Sequence, residues 1–472
     1  MSFLYGALLC IICLIWAFVY MKIYQLVGYK MYLFWDSVVQ FKFAFGSKNK
    51  LVLTKRMWRF IVVYALLVYA LFVIICEFSG HWAIILMDFL VIFLFSPLML
   101  SLVHYILWPI EKLIKCYYMK KAAKKLASKN CIRIGITGSY GKTSTKNILA
   151  QILEKEFKVC VTPASYNTEM GICKTILEKL DDEDVFIAEM GARHIGDIKI
   201  LTNFVKPQHA IITTIGKQHI ETFKTLANIE RTKFELLEYM GRGGYAVING
   251  DSPSNVRLYK KCQVPKFLTN VENSFAYAKD IKVDKFGSTF TFIIDGKEIQ
   301  LKTKLLGKCN IDNIVSASAL AYLLGVSLND IKSAVACLEP SPHRLQLFRN
   351  GKINIIDDSY NSNVIGSREA LNVLKSFEGR KIVITPGFVE MGNEQSISNF
   401  KLGAHIADVA DYVVIMNETN KNDLLSGLIS HNFNQKQIYF AKSRQEEQNI
   451  IKKLTCENCV ILFENDLPDN FK

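Results

Sequence analysis

A glycine-rich turn near residue 140 constrains the fold of this chain more than any other feature of its sequence. The turn lies between a β-branched run, residues 131–137, and a helix-like stretch, residues 143–157. Glycine gives the backbone the freedom that a sharp turn needs, and strand–turn–helix units of this kind build parallel sheets. Apolar runs at residues 185–190 and 209–215 predict further buried strands. We therefore expect an α/β protein with a parallel sheet.

The residue types in the turn are those that bind phosphate groups. Glycines let backbone N–H groups face phosphate oxygens, and the N-terminus of the following helix adds its positive dipole. Lys142 provides a charge for the outer phosphates, and Thr143 can ligate Mg²⁺. The common GxxxxGK[ST] pattern is not met, because Ile136 takes the place of its first glycine. The alternative is a glycine-rich turn that binds no ligand. If the turn binds the phosphates of ATP, we expect the contacts from Gly138, Ser139, Gly141, Lys142, Thr143 and Ser144.

The sequence after the glycine-rich turn and its following strands predicts an edge sheet and a second domain. Residues 275–306 alternate over a short range with turn signals, which predicts a small antiparallel sheet on the edge of the first domain. From residue 342 onwards, strand candidates alternate with helix-length stretches, which indicates a Rossmann-like domain. It has no GxGxxG fingerprint, so a dinucleotide is not expected. The candidates are residues 353–356, 381–385, 412–416, 437–440 and 460–463.

The first 130 residues contain three apolar runs, at 3–21, 60–76 and 82–108. Each approaches the ~20 residues that span a bilayer as a helix. Residues 1–130 also contain 15 Lys and Arg but only 4 Asp and Glu, whereas the other 342 residues have a net charge of +3. By the positive-inside rule, we expect three transmembrane helices and a multi-pass protein of the cytoplasmic membrane, with everything after about residue 110 in the cytoplasm. A nucleic-acid partner is not expected.

The pattern as a whole predicts three parts. Residues 1–130 form a membrane segment with basic cytoplasmic flanks, residues 131–340 a central domain with a phosphate loop, and residues 341–472 the Rossmann-like domain.

The spacing of the glycine-rich run resembles the ATP loop of the Mur ligases, which join amino acids or peptides to a carboxylate on a cell-wall precursor. Further segments match the family in order, and they are most similar to the branch that adds D-alanyl-D-alanine. The matching segments are Asn167 with Gly171, Glu189 with Gly191, Gly196 with Asp197, Thr214 with Gly216 and His219, Lys233, Gly307 with Asn310 and Asn313, Arg344, and residues 357–363.

The resemblance implies a role for each matching residue. Thr143, Glu189 and His219 would be metal ligands, and Lys233 would react with CO₂ to form a carbamate. Lys142, Lys233 and His219 would serve catalysis, with ATP and Mg²⁺ as cofactors. Read alone, these side chains are also compatible with a solvated strand end, helix caps, turns and packed or surface positions. The implied contacts to adenine, phosphate and ribose are Asn310, Asn313, Arg344 and Asp358.

Two departures from the family bear on the substrates. The family's N-terminal domain, which holds the UDP-sugar, has no counterpart, and residues 463–470 replace a Lys-Gly-Ser-Arg-like motif that helps to place the amine. Our first hypothesis is a membrane-anchored, ATP-dependent amide ligase that acts through an acyl phosphate. It would join an amino acid, peptide or other amine to the carboxylate of a lipid-linked or surface-glycan precursor. The alternative is ligation of D-alanyl-D-alanine to a UDP-muramoyl tripeptide. A third hypothesis is a membrane NTPase or nucleotide-sensing module without ligase activity.

Overall fold

The computed structural model describes residues 2–39, 51–78, 94–351, 353–360, 363–389, 391–416 and 418–466. Its chain divides into two compact units after Tyr117. The predicted boundary near residue 340 falls inside the second unit, so the three-part division remains a prediction.

The first unit is helical. Its apolar side chains, among them Tyr24, Phe34, Phe60 and Tyr64, are buried in one cluster. Near this cluster, the guanidinium of Arg59 forms an ion pair with Glu111 at 2.6 Å. The helices are α1 (Ser2–Leu26), α2 (Met31–Val39), α3 (Lys55–Phe78) and α4 (Ser96–Ala127), of which α4 continues into the second unit.

The predicted multi-pass membrane location is wrong. Among the residues that the structure describes, only α4 is long and apolar enough to cross a membrane, and 28% of its most apolar window is buried inside the protein. The sequence prediction relied on the length of apolar runs, and length alone does not distinguish a spanning helix from one that packs against other helices. The runs at 3–21 and 60–76 lie in α1 and α3, while residues 82–93 of the third run are outside the described residues.

The second unit contains a nine-stranded sheet with the order β2-β3-β1-β4-β5-β6-β7-β8-β9. The strands from β2 to β7 pair in parallel, and β1 lies between β3 and β4. The predicted glycine-rich turn therefore leaves the middle of the parallel part. The strands are β1 (Ile132–Thr137), β2 (Val159–Val161), β3 (Val185–Glu189), β4 (His209–Ile212), β5 (Ala246–Asn249), β6 (Lys266–Thr269), β7 (Ala276–Asp284), β8 (Gly287–Ile294) and β9 (Lys297–Thr303).

The antiparallel strands extend this sheet and do not form a separate one. β7 pairs in parallel with β6 through Thr269 and Ala276, and then β7, β8 and β9 form an antiparallel meander. The helices of this part are α5 (Lys142–Leu153), α6 (Glu169–Glu178), α7 (Asp197–Val205), α8 (Ile220–Phe223), α9 (Leu226–Tyr239), α10 (Pro253–Lys261), α11 (Lys308–Leu323) and α12 (Leu328–Cys337). Buried side chains of α5, α11 and α12 form one core with the sheet.

A six-stranded sheet follows, with the order β10-β11-β15-β12-β13-β14. Its strands pair in parallel except for the edge strand β10, which is antiparallel to β11. This is the parallel sheet of a Rossmann-like domain with one hairpin added at its edge. The strands are β10 (Gln346–Asn350), β11 (Ile353–Tyr360), β12 (Arg380–Thr385), β13 (Tyr412–Met416), β14 (Ile438–Ala441) and β15 (Cys459–Asp466). The helices are α13 (Val364–Lys375), α14 (Gln395–Ala407), α15 (Lys421–Ser430) and α16 (Arg444–Leu454). Ligands of such sheets bind at the carboxyl ends of the strands, where Thr137, Glu189 and Asp358 are found.

Candidate active site

Two positions in the turn between β1 and α5 require glycine. Gly138 and Gly141 have φ angles of +152° and +79°, in the region that residues with a side chain avoid. A Cβ atom on Gly138 would lie 1.9 Å from Oγ1 of Thr213, and one on Gly141 would lie 2.5 Å from Oδ1 of Asn313. The turn is therefore packed closely against both neighbours.

Hydrogen bonds to the segment after β4 hold the turn in shape. The backbone N–H groups of Ser139 and Tyr140 both donate to the carbonyl oxygen of Thr214, at 2.9 and 3.2 Å. The hydroxyl of Thr213 donates to the carbonyl oxygen of Tyr140 at 2.6 Å, and that of Ser139 donates to Gly216 at 2.8 Å. The loop is thus built before any ligand arrives.

Lys142 begins α5 and turns back onto the loop. Its Nζ atom donates to the carbonyl oxygens of Gly138 and Ser139, at 2.7 and 2.8 Å. Burial lowers the pKa of Lys142 to about 8, although the carboxylate of Glu189 acts against this and the charge of Arg344 adds to it. This amine lies where a phosphate group could restore its full charge.

Thr143 and Glu189 present oxygen atoms side by side. The hydroxyl of Thr143 donates to Oε2 of Glu189 at 2.9 Å, and the side-chain amide of Asn167 donates to Oε1 at 3.0 Å. Glu189 is only 1% exposed, at the end of β3. Hard oxygen donors of this kind suit Mg²⁺, which usually takes its other ligands from water and phosphate. The donor set therefore fits the metal that the sequence predicts.

His219 and Lys233, two further predicted residues, are placed differently. In the described part of the chain, no group of three or more His, Cys, Asp or Glu side chains comes together as a metal cluster. The structure thus does not gather His219, at the start of α8, into such a group. Lys233 on α9 is 3% exposed. Burial and the nearby charge of Lys142 hold its pKa well below the usual range, and Asp197 and Glu189 counteract this only partly.

The predicted adenosine contacts line one cavity of about 310 Å³. Asn313 accepts a hydrogen bond from the hydroxyl of Thr145 at 3.0 Å, and Asn310 donates to Leu306 at 2.9 Å. Both asparagines are on α11, which reaches the phosphate loop. The cavity is lined by Ser144, Asn310, Asn313, Arg344 and Asp358, together with Tyr140, Gly141, Thr214, Asp251, Lys308, Cys309, Asp312, Leu345, Asn363, Ile365, Gly366 and Glu369.

Strand β11 contributes Asp358 to this cavity, and the segment before β10 contributes Arg344. Burial raises the pKa of Asp358 to about 6, while the charge of Arg344 and a hydrogen bond from the backbone of Leu345 act in the opposite direction. The guanidinium of Arg344 lies 4.8 Å from the ring centre of Tyr360. The hydroxyl of Tyr360 is in turn 2.5 Å from that of Ser165, which connects the two sheets.

One buried side chain of the site escaped the sequence analysis. Lys146 is fully buried on α5, and its ammonium contacts Glu189. Lys146 follows Lys142 by four residues, a spacing that places both side chains on the same face of a helix. This spacing was the only signal in the sequence that could have identified Lys146.

These features have a counterpart in known proteins. Residues 136–321 match the Mur ligase middle domain. The chain therefore contains a Mur ligase middle domain.

Similar sequences support the assignment. The UDP-N-acetylmuramoyl-tripeptide–D-alanyl-D-alanine ligase of Escherichia coli is 28% identical over 306 residues, which is 63% of this chain and 67% of that enzyme. The ligase of the same name from Bacillus subtilis is 25% identical over 335 residues, 70% of this chain and 72% of its own length. The Mycobacterium tuberculosis enzyme is 30% identical, but over 53% of this chain and 50% of its own length.

Solved structures have the same fold. MurF from Acinetobacter baumannii superposes with a TM-score of 0.68 at 23% identity, over 75% of this chain and 77% of that one. The MurF ligase of Thermotoga maritima, in complex with ADP, also gives 0.68 at 23% identity, over 75% of this chain and 80% of that one. At this identity the likeness concerns the fold.

The match to the Mur ligase middle domain decides the enzyme class. Mur ligases use ATP to form C–N bonds and release ADP, so the predicted enzyme class is confirmed.

Proposed function

We propose that this Mur ligase joins the amine of a dipeptide to a carboxylate of a UDP-muramoyl peptide, with release of ADP and phosphate. The relatives named above are ligases of a UDP-N-acetylmuramoyl-tripeptide with D-alanyl-D-alanine. The observation that carries the proposal is the contact between Thr143 and Glu189 beside Lys142, because it places oxygen ligands and a cation at the start of one helix. The similarity to these relatives supports the alternative of our sequence analysis over a lipid-linked or surface-glycan acceptor.

The reaction proceeds in two steps. A carboxylate oxygen attacks the γ-phosphorus of ATP, and the bond from that phosphorus to the leaving ADP oxygen breaks. The product is an acyl phosphate, whose carbonyl carbon is then attacked by the amine nitrogen. The C–O bond to phosphate breaks, the nitrogen loses a proton, and the amide remains.

Charge stabilisation is the main task of the protein in the first step. Lys142 and the N-terminus of α5 stabilise the negative charge that develops on the transferred phosphoryl group. Thr143 and Glu189 would hold Mg²⁺, which would supply Lewis-acid neutralisation of phosphate charge. Asn167 orients Glu189 by its hydrogen bond to Oε1.

The remaining predicted residues serve two further tasks. Because its pKa is lowered, Lys233 offers the neutral amine that must be present to react with CO₂, and the resulting carbamate would be an acidic group near Glu189. His219, at the start of α8, would approach the bound substrates from the segment after β4. Asn310, Asn313, Arg344 and Asp358 hold the adenosine part of ATP in the cavity that they line.

The test is a reconstitution with purified protein. ATP, Mg²⁺, UDP-muramoyl tripeptide and D-alanyl-D-alanine are incubated with the enzyme, and products are measured by mass spectrometry together with ADP release. We expect an amide product and ADP formation that requires both the carboxylate and the amine. ADP release that requires neither substrate would contradict the proposal and support an NTPase. ADP release and a mass gain with a glycan carboxylate only would replace the proposed acceptor.

A further inference from the structure

The ammonium of Lys146 is fully buried and has three acceptors around it. Nζ donates to the carbonyl oxygens of Thr162 and Ala164, at 2.7 and 2.5 Å, and to Oε2 of Glu189, at 3.3 Å. All three partners only accept hydrogen bonds in this arrangement. The lysine side chain thus joins the end of β3 to the segment after β2.

The same carboxylate is held from two other sides. Oε1 of Glu189 accepts from Asn167, and Oε2 accepts from Thr143 as well as from Lys146. Thr143 lies in the first turn of α5, Lys146 lies about one turn later in the same helix, and Glu189 ends β3. One face of the helix thus determines where the carboxylate oxygens point.

We propose that Lys146 is a positioning residue that orients Glu189 for Mg²⁺ and fixes the segment of Thr162 and Ala164 beside it. This inference deepens the proposed function and rests on its use of a magnesium nucleotide. Lys146 does not contact the reacting atoms in this proposal; it acts only through Glu189.

A purely stabilising role explains the arrangement less well. Replacement of a buried ion pair by apolar side chains of similar size is often neutral for stability, because desolvation of both charges offsets their attraction. Groups behind a metal ligand, in contrast, commonly change metal affinity by about 10- to 100-fold when they are removed.

The experiment measures metal binding and does not depend on ligation. A fluorescent ADP analogue is titrated with Mg²⁺, and Mn²⁺ binding to the ADP complex is followed by electron paramagnetic resonance. We expect Lys146→Met to raise the metal concentration at half-saturation at least about tenfold, while metal-free binding of the analogue changes less than about twofold. Lys146→Arg keeps the charge and should give an intermediate value, since a planar guanidinium cannot reach all three acceptors in the same way.

Two controls separate positioning from stability. Lys158→Met removes an exposed lysine from its 2.6 Å ion pair with Asp182 and should leave the metal titration unchanged. In a Glu189→Gln background, Lys146→Met should cause no further loss of Mn²⁺ affinity, because its effect passes through Glu189.

Several outcomes overturn the inference. The first is a metal concentration at half-saturation that is unchanged or lower in folded Lys146→Met. The second is a further loss of Mn²⁺ affinity, as large as in the wild-type background, when Lys146→Met is added to Glu189→Gln. If Lys146→Met does not fold, Lys146→Arg decides. A metal concentration at half-saturation equal to that of the wild type overturns the inference, and a raised concentration supports it. A wild-type protein that binds magnesium nucleotide but forms no amide would refute the proposed function alone.

Discussion

Lys233 is buried close enough to Lys142 that the charge of Lys142 lowers the pKa of Lys233. They belong to α5 and α9, which are far apart in the sequence. Two lysines side by side are unfavourable when both are charged. Their proximity therefore favours one neutral amine, and the first prediction uses this.

Lys233 should carry a carbamate when CO₂ is present. The pKa of Lys233 is held well below the usual lysine value, mainly by burial, so a neutral amine is available at a pH where an exposed lysine is charged. We expect a carbamate signal in ¹³C NMR with ¹³C-labelled bicarbonate, and its loss in Lys233→Arg. Lys260→Arg, in the last turn of α10, is the control. A labelled signal that persists in Lys233→Arg would assign the carbamate elsewhere.

Nucleotide binding should weaken above about pH 8. The pKa of Lys142 is lowered to about 8 in the free protein, so above this pH the side chain must take up a proton before it can pair with a phosphate. ADP affinity should then fall by up to about tenfold per pH unit. Calorimetry between pH 7 and 9.5, in buffers of different ionisation heat, measures both the affinity and the proton uptake.

Lys142→Arg is the control for this pH dependence, because a guanidinium stays protonated throughout the range. Its ADP affinity should be weaker than that of the wild type but independent of pH. An equally flat profile in the wild-type protein would show that Lys142 is already charged before the nucleotide binds.

Asp358 should contribute to nucleotide affinity, whereas its neighbour Asp357 should not. Asp358 is 8% exposed and lines the cavity, while the carboxylate of Asp357 is bonded to His343 and Ser359. Asp358→Asn should raise the dissociation constant of ADP about tenfold, or about 1.4 kcal/mol. Asp357→Asn should change it less than about twofold. Equal losses in both variants would mean that the general negative charge matters and the position does not.

Gly138→Ala should abolish nucleotide binding. The added methyl group would clash with Thr213 at 1.9 Å, and the φ of +152° is unfavourable for alanine. Gly243→Ala is a matched control, because Gly243 also has a positive φ, +84°, but no atom lies within 4 Å of the added Cβ. The control should lose only about 1 kcal/mol of stability from backbone strain. Thermal unfolding and ADP titration of both variants distinguish distortion of the loop from strain alone.

Local patterns in the sequence were sufficient for the phosphate loop. The β-branched run before Gly138 and the helix after Lys142 were predicted within a few residues of β1 and α5, because both elements have a strong periodic signal of their own. Glu189 was likewise predicted correctly to end a buried strand.

Contacts between distant segments were not predictable in this way. The strand β2 has only three residues, Val159–Val161, too few for a periodic pattern, and the carbonyl groups that Lys146 contacts lie just after it. Residues 275–306 were recognised as antiparallel strands, but their union with the parallel sheet depends on the short pairing of β6 with β7. The N-terminal apolar runs were interpreted by their length alone, and among the described helices only α4 is long and apolar enough to cross a membrane.

The carbonyl oxygen of Thr214 has a consequence for the energetics of nucleotide capture. It already binds two N–H groups of the turn, those of Ser139 and Tyr140, so the conformational entropy of this segment is lost during folding. An incoming nucleotide does not have to order the turn again, and less of its contact energy is consumed on arrival. Such preorganisation lets a small number of phosphate contacts suffice for tight and rapid capture.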